Sequence, residues 1–431
     1  MRTIISKHID NPIAFKQQLL LWVNQFREVV FLDSNHYHKQ YSDFDCIFAM
    51  DALTSLKTDT HNAFEDLHQY QSQTKDWLFG YLAYDLKNDV EDLKSDNFDG
   101  LNFPDLFFFQ PKKLFFLKGN QLEMHYLNMC DDEMESDLEE IYSFSVSSNA
   151  QLPASISIQQ RVSKENYLSK VNKILEHIHR GDIYEANFCM EFYCENAKID
   201  ALDVYQKLNV ISEPPFAVYF KNKNHYLLSA SPERYLKKEG TKVISQPIKG
   251  TAQRFSDVTL DEQSKQELSQ NPKERSENIM IVDLVRNDLS KTAIKNSTEV
   301  EELCKIYTFK QVHQMISTVV STVDHTTSPT EIIKTTFPMG SMTGAPKISA
   351  MQIIEDLEVT KRGLYSGAVG YFTPNDDFDF NVVIRSILYN SENNYLSFSV
   401  GSAITSQSIP EKEYEECLLK AKAMFEVLKQ K

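Results

Sequence analysis

FAVYFKNKNHYLLSASPERYLKKEGTKVISQP, residues 216–247, decides the fold class. Its apolar runs Phe216 to Phe220, Tyr226 to Ser229 and Val243 to Pro247 follow one another at strand length with no helical stretch between them. Strand-like segments recur upstream at Ile183 to Phe192 and downstream at Ser366 to Phe372, Phe380 to Leu388 and Tyr395 to Val400. The spacing predicts helices between these groups at Thr259 to Leu268, Lys273 to Asn287, Glu301 to Val320 and Pro346 to Glu358, and a last one from about Pro410 to Leu428. Elements grouped in blocks, without strict βαβ alternation, predict an α+β layout and not a doubly wound sheet. Ahead of them, Ser163 caps a helix in which Tyr167, Leu168, Val171, Ile174, Leu175 and Ile178 recur at helical spacing up to Gly181.

The 431 residues include 45 Lys plus Arg and 61 Asp plus Glu, a net charge of −16, with 42% apolar residues, a globular composition with ample core. Ser143 to Ser163, rich in Ser, Gln and Ala, marks a boundary near 150 to 160. The acidic excess, with no basic stripe to offset it, argues against a nucleic-acid partner. An anionic ligand would need local positive charge, from a metal or a few placed cations. No uncharged apolar run approaches the roughly 20 residues of a membrane span, so neither insertion nor export is expected. Six cysteines without a Cys-x-x-Cys pair read as reduced thiols of a cytoplasmic protein.

Only 12 glycines occur, so each one kept points to a backbone need. Gly181 and Gly363 read as turns or caps, whereas those at 250, 340, 344, 367, 370 and 401 fall among unusual polar residues. Gly340-Ser341-Met342-Thr343-Gly344-Ala345-Pro346-Lys347 is not a Walker loop, because Ala345 and Pro346 stand where that pattern needs glycine and lysine. It reads as a hydroxyl-bearing loop feeding a helix whose first N–H groups can face an anion.

Glu274 with Glu277, and Glu413 with Glu416, stand three apart on predicted helices, so each pair shares a face. Two such faces meeting would make an oxygen cage for a hard divalent cation; apart, they are ordinary solvated faces. Lys420, four residues after Glu416, is either an intrahelical salt bridge or a substrate cation. Arg385, inside an apolar run, requires a partner, and a bound carboxylate suits it. Ser231-Pro232-Glu233-Arg234 and Pro247-Ile248-Lys249-Gly250-Thr251 stand at strand ends. A neutral lysine there can act as nucleophile and a protonated glutamic acid can protonate a leaving hydroxyl; the bland alternative is two solvated surface groups.

Together these segments resemble the chorismate-utilising enzymes: anthranilate synthase large subunit, aminodeoxychorismate synthase component I, isochorismate synthase and salicylate synthase. The resemblance covers roughly residues 160–431. It rests on Gly181-Asp182-Ile183-Tyr184-Glu185-Ala186-Asn187, Ser231-Pro232-Glu233, Pro247 to Thr251, Glu274 through Asp288, Phe337 to Lys347, and Glu413 through Lys420. Phe31-Leu32-Asp33-Ser34 is similar to the family's N-terminal segment, which in some members binds tryptophan. The implied fold is anthranilate synthase-like: two large antiparallel β-sheets packed as an orthogonal sandwich with helices outside. Residues 1–150 would contribute strands to the same body, and 160–431 would form the chorismate-binding catalytic region.

The resemblance also implies roles. Glu277 and Glu416, with Glu274 and Glu413 beside them, match the ligands of Mg²⁺. Tyr365, Arg385, Gly401 and Lys420 match positions that hold the two carboxylates of chorismate, Ser341 and His313 match ring-contacting positions, and Glu233 matches the general acid at the departing 4-hydroxyl. Lys249 points to the aminodeoxychorismate synthase branch, whose Pro-Ile-Lys-Gly-Thr carries a proposed covalent nucleophile where anthranilate synthases have alanine. Glu185 departs from the lysine of the water-adding relatives and from the glutamine common in the aminating branch, and either orients ammonium or braces the scaffold. Gly401-Ser402-Ala403 departs from a triple glycine. The implied reaction is amination of chorismate to 4-amino-4-deoxychorismate, on the path to p-aminobenzoate and folate, with ammonia from a separate glutaminase. Anthranilate synthesis and a noncatalytic chorismate-binding subunit are the alternatives.

Overall fold

The structure, a computed structural model, describes residues 1–37, 41, 43–144 and 156–429. Among the described residues twenty strands join one hydrogen-bonded network, and every pairing between named strands is antiparallel. The network has two arms. One runs from Arg2–His8 and Gln121–Leu127 through Glu28–Asp33, Phe216–Asn222, His225–Ser231, Ser386–Asn390 and Tyr395–Thr405 to Glu185–Cys194. The other runs from Leu78–Leu82 through Ala368–Phe372, Phe378–Val382, Arg234–Glu239 and Lys242–Gln246 to Val312–Thr322, which also carries Ile248–Gln253 and Glu299–Thr308.

Two long strands, Cys46–Thr58 and Leu106–Lys118, belong to both arms. Their pairing shifts register between Ala52 and Thr54, opposite Pro111, with Asp51 at φ +59°. A bulge of this kind bends a strand and lets it turn a corner between sheets.

Strand periodicity decides which side chains fill the space between the arms. Val29 and Phe31 pack with the outer helices, while Val30 points inward; Phe48 and Tyr219 likewise face out, and Ile47, Val218 and Phe220 face in. The inward set meets Leu236, Val243, Val319 and Phe380 of the second arm in one cluster. A one-residue slip would swap the two sets, and each large side chain removed from its cluster costs roughly 1.5–3 kcal/mol, so the register is strongly specified. Helices cover the outside. Lys164–Arg180 begins with the Ser163 side chain accepting from the Asn166 N–H and ends at Gly181. Pro410–Leu428 buries Tyr414, Cys417, Ala421, Met424 and Leu428 against the first arm.

Two sequence expectations fail. The helix expected over Glu301 to Val320 is instead a pair of antiparallel strands, Glu299–Thr308 and Val312–Thr322. Val312, Ile316, Thr318, Val319, Val320 and Thr322 are β-branched, which favours the pleated surface over a helix. The single strand expected over Phe380 to Leu388 is broken: Phe378–Val382 lies in one arm and Ser386–Asn390 in the other, with Arg385 at φ +51° between them. The expected boundary near 150 falls largely on residues outside the described set. All six cysteines are free thiols. Among the described residues no helix is long and apolar enough to cross a membrane.

Candidate active site

The chain passes between the arms twice more, side by side. His225–Ser231 leads to Arg234–Glu239 through Pro232 and Glu233, and Phe378–Val382 leads to Ser386–Asn390 through Val383 to Arg385. The crossovers are tied by Val382 N–H donating to the Glu233 carbonyl at 3.0 Å and Ala230 N–H donating to the Arg385 carbonyl at 3.2 Å. Neither Glu233 nor Arg385 therefore lies within a regular strand, and both are held by the flanking ladders.

Glu233 is only 5% exposed, and burial pushes its carboxyl up to about 7, against the opposing pull of the Ser341 hydroxyl and the Lys249 charge. A carboxylic acid still half protonated near neutrality can donate a proton to a leaving group. Burial pushes the Arg385 guanidinium down, and Glu233 pulls it back. Arg385 makes no side-chain hydrogen bond or ion pair among the described residues, so its fork remains available to a carboxylate.

Lys249 stands on Ile248–Gln253, the strand that carries on from the Pro247 end of the 242–246 strand. Its Nζ lies 2.7 Å from Oε1 of Glu185, the first residue of Glu185–Cys194. Burial alone would lower the Lys249 pKa; the charge and hydrogen bond of Glu185, with Glu277 and Glu416 further out, outweigh it and leave the ammonium above its ordinary range. The resting lysine is thus protonated, with its acceptor already in contact. Asn278, on the helix Pro272–Ser290, donates to the Lys249 carbonyl at 3.1 Å and to the Met315 carbonyl at 3.2 Å, while its Oδ1 accepts from Ser317. Gly250 adopts φ +97°, which strains any residue with a side chain, and a Cβ there would press on Glu274 Oε2 at 3.2 Å.

Glu274, Glu277 and Glu416 are felt at Lys249, and the buried Glu413 is felt with the other three at Lys273. Glu277 is pushed up to about 7 by burial, opposed by Lys249 and Lys273 and assisted by Glu274 and Glu185. Glu274 is raised by burial and by Glu416, while the charge and hydrogen bond of Lys420 hold the half-exposed Glu416 below its ordinary value against the opposing effect of desolvation. Among the described residues no three His, Cys, Asp or Glu side chains stand close enough to form a ready-made metal cluster. Glu277 Oε1 is nevertheless buried without a hydrogen-bond partner, Lys273 Nζ standing 3.7 Å away. An orphaned carboxylate oxygen among further carboxylates is the donor chemistry that Mg²⁺ takes, so the residues fit such an ion.

Lys420 Nζ bonds both Glu416, at 2.7 Å, and the Gly401 carbonyl, at 2.9 Å, so the salt-bridge expectation is met and the ammonium reaches the strand Tyr395–Thr405 as well. Gly401 is closely packed: a Cβ would lie 2.6 Å from Cys189 Sγ and 2.8 Å from Asn187 Oδ1. Tyr365 is buried with its hydroxyl 3.8 Å from the same sulfur. His313 lies apart from this group. Its Nδ1 meets Thr308 at 3.0 Å and its Nε2 meets Asp261 at 3.0 Å, so both ring nitrogens are engaged in the scaffold.

Sequence reasoning missed two buried clamps. Arg362 forms a two-toothed pair with Glu358, at 2.9 and 2.7 Å, and its remaining N–H groups reach the Met342 and Asn187 carbonyls at 2.6 Å. Glu358 also accepts from the Cys189 N–H at 2.9 Å, so one ion pair locks the Ser341 loop to the strand that begins at Glu185. The only local signal was a glutamate and an arginine four residues apart. Lys347, at the end of the Gly340 to Lys347 loop, grips a protein anion: Asp288 at 2.5 Å, with the Thr336 and Pro338 carbonyls. A small cavity beside Glu233 and Ser341 is lined by Pro247, Met339, Gly340 and Asp288.

Glu233, Lys249, Arg385 and the glutamates at 185, 277 and 416 are thus coupled electrostatically around one crossover. The chain belongs to the family of chorismate binding enzymes, whose description matches residues 27–426. It is 34% identical to an anthranilate synthase component I-like protein of Synechocystis over 82% of this chain and 72% of that one. With aminodeoxychorismate synthase component 1 of Bacillus subtilis it shares 30% identity over 87% of this chain and 80% of the relative. A longer relative, a probable chloroplastic aminodeoxychorismate synthase of rice, is 34% identical over 81% of this chain but only 43% of its own length. The fold matches crystalline anthranilate synthase component I of Streptococcus pneumoniae TIGR4 with a TM-score of 0.79, at 21% identity over 90% of this chain and 93% of that one.

Proposed function

We propose that the protein converts chorismate and ammonia to 4-amino-4-deoxychorismate, as an aminodeoxychorismate synthase component 1. The observation that carries this is the primary amine of Lys249, 2.7 Å from a carboxylate acceptor and electrostatically coupled to the acid Glu233. Lys249 passes a proton to Glu185 and adds through Nζ at C2 of the ring. The double bond shifts and the C4–O bond breaks, with the Glu233 proton leaving in water. The proton held by Glu185 then replaces the one Glu233 gave up. Ammonia forms the C4–N bond, the C2–N bond breaks, and its electron pair returns to Lys249. Amine replaces hydroxyl at one carbon with retention.

Arg385 and Lys420 supply positive charge for the two substrate carboxylates, with Tyr365 and the backbone at Gly401 beside them, and Ser341 orients the ring. Glu277 and Glu416, with Glu274 and Glu413, would hold Mg²⁺, which supplies charge neutralisation for the dianion in this acidic surround. His313, tied to Asp261 and Thr308, acts by bracing its strand. Ammonia is proposed to come from a separate glutaminase chain, and free thiols at all six cysteines support a cytoplasmic setting.

The test is incubation of the pure chain with chorismate, Mg²⁺ and ammonium, with products identified by mass spectrometry. Retention of the enolpyruvyl ether in an aminated product supports the proposal, and release of pyruvate with anthranilate overturns it in favour of anthranilate synthesis. Lys249→Ala is expected to cut amination at least about a hundredfold, as loss of a nucleophile should; near-normal turnover would remove the lysine from the mechanism.

A further inference from the structure

Glu185 is 1% exposed, yet its carboxylate is only half used. Oε1 receives the Lys249 ammonium at 2.7 Å, whereas Oε2 is buried with no hydrogen-bond partner. A carboxylate oxygen cut off from water and left without a donor is destabilising, and an ionised carboxylate only accepts, so the oxygen calls for a cation or for a donor bearing N–H or O–H groups. The occupied oxygen shows which donor this environment takes, since the lysine head group is a primary ammonium. Glu185 and Glu277 flank the same lysine, and the charge of Glu185 is felt at Glu277, whose Oε1 is likewise buried without a hydrogen-bond partner. An ionised carboxylate oxygen sealed from water favours a small cation over a neutral water.

We propose that Oε2 of Glu185 is the docking point of the ammonium ion that supplies the amine, an inference that rests on the amination reading above. The docked ion sits across one carboxylate from the amine it will displace. One N–H proton passes to Oε2, and the freed lone pair of ammonia forms the bond to C4. The ring double bond shifts as the C2–N bond breaks, and that electron pair returns to Lys249 Nζ. The carboxyl proton then moves from Glu185 to Nζ and restores the resting ion pair, so chorismate plus ammonium yields the aminated ring plus water with no proton left over.

The experiment uses the isolated chain with ammonium chloride as the sole amine source and measures KM for ammonium and for chorismate separately. In Glu185→Gln the amide oxygen still accepts from Lys249, but the second atom becomes an N–H₂ donor that faces the incoming cation. KM for ammonium should rise at least about tenfold while KM for chorismate changes less than about twofold. Because Glu185 also takes the Lys249 proton, kcat falls in this variant whatever the docking role, and an ammonium KM left unmoved overturns the docking site. Should Glu185→Gln fail to fold or turn over too slowly to read, Glu185→Asp, which keeps the charge but withdraws it by one methylene, should raise the ammonium KM at least about threefold, and an unchanged value again overturns it. A wild-type chain that does not aminate chorismate sinks the parent reading, whereas a wild type that does, with unaltered ammonium KM in the variants, sinks only this inference.

Discussion

Formation of the Lys249 adduct, followed without ammonium, should slow about tenfold for each pH unit above 7. The acid for this step, Glu233, is pushed from an ordinary 4.5 to about 7 by burial. It is then about one half protonated at pH 7, about one tenth at pH 8 and about one hundredth at pH 9. An unshifted glutamic acid would be only about 0.3% protonated at pH 7, so burial is worth about 3 kcal/mol toward having the acid ready. The contact between Lys249 and Glu185 at 2.7 Å determines whether this slope is visible. If the lysine proton moves to Glu185, activation leaves the proton count of the site unchanged, and Glu233 alone titrates. If the proton is lost to solvent, the gain in free amine with pH cancels the loss of acid, and the profile is flat from pH 7 up to the raised lysine pKa. Single-turnover reactions with chorismate and Mg²⁺, read as adduct by intact-protein mass from about pH 6 to 9, distinguish the two. A flat profile above pH 7 refutes the internal acceptor. A decline that persists in Glu233→Gln refutes the acid assignment.

Three further outcomes are expected. Lys347→Met strips a buried partner from Asp288, which keeps only the more exposed Lys291, and should cost about 3 kcal/mol in urea unfolding; pairing it with Asp288→Leu should recover most of the loss, and an unchanged single variant would show that the clamp carries no load. Gly401→Ala forces a methyl to within 2.6 Å of Cys189 Sγ, so it should lose about 1–3 kcal/mol of stability and raise the chorismate KM, and normal values in both would contradict the tight approach. Glu277 is pushed up to about 7 in the folded chain, so without metal the folded state holds a proton that the unfolded state releases, and stability should fall as pH rises from about 4.5 to 7. Thermal melts should then show stabilisation by Mg²⁺ growing over that same window and vanishing in Glu277→Gln; an equal response to Mg²⁺ in the variant would remove Glu277 from the proposed ligand set.

Much of the site was legible as residue types but not as geometry. The segments around Glu233, Lys249 and the Glu274 and Glu413 pairs stood out because each concentrates chemistry in a short span, and the structure couples Glu233, Lys249, Glu274, Glu277 and Glu416 around one crossover. His313 did not follow, since its neighbours Asp261 and Thr308 come from elements whose packing on it no local pattern encodes. The stretch from Glu301 to Val320 shows the same limit in the fold. Its apolar residues suit helical spacing on paper, yet a strand partner across the turn and a run of β-branched side chains overrode that pattern.

Residue order alone determined the features set by neighbours a few positions apart: the Ser163 and Gly181 ends of a helix, and the spacing of three that pairs Glu413 with Glu416 on one helix. Only the tertiary structure decided that the run through Arg385 breaks to cross between sheet arms, that Lys347 grips Asp288, and that one oxygen of Glu185 meets Lys249 while the other meets nothing. The physical reason is range. Caps and periodicity depend on bonds within a turn of helix or along one strand, whereas the partner of a buried charge is whichever group the folded chain brings beside it, here from 59 or 64 positions away.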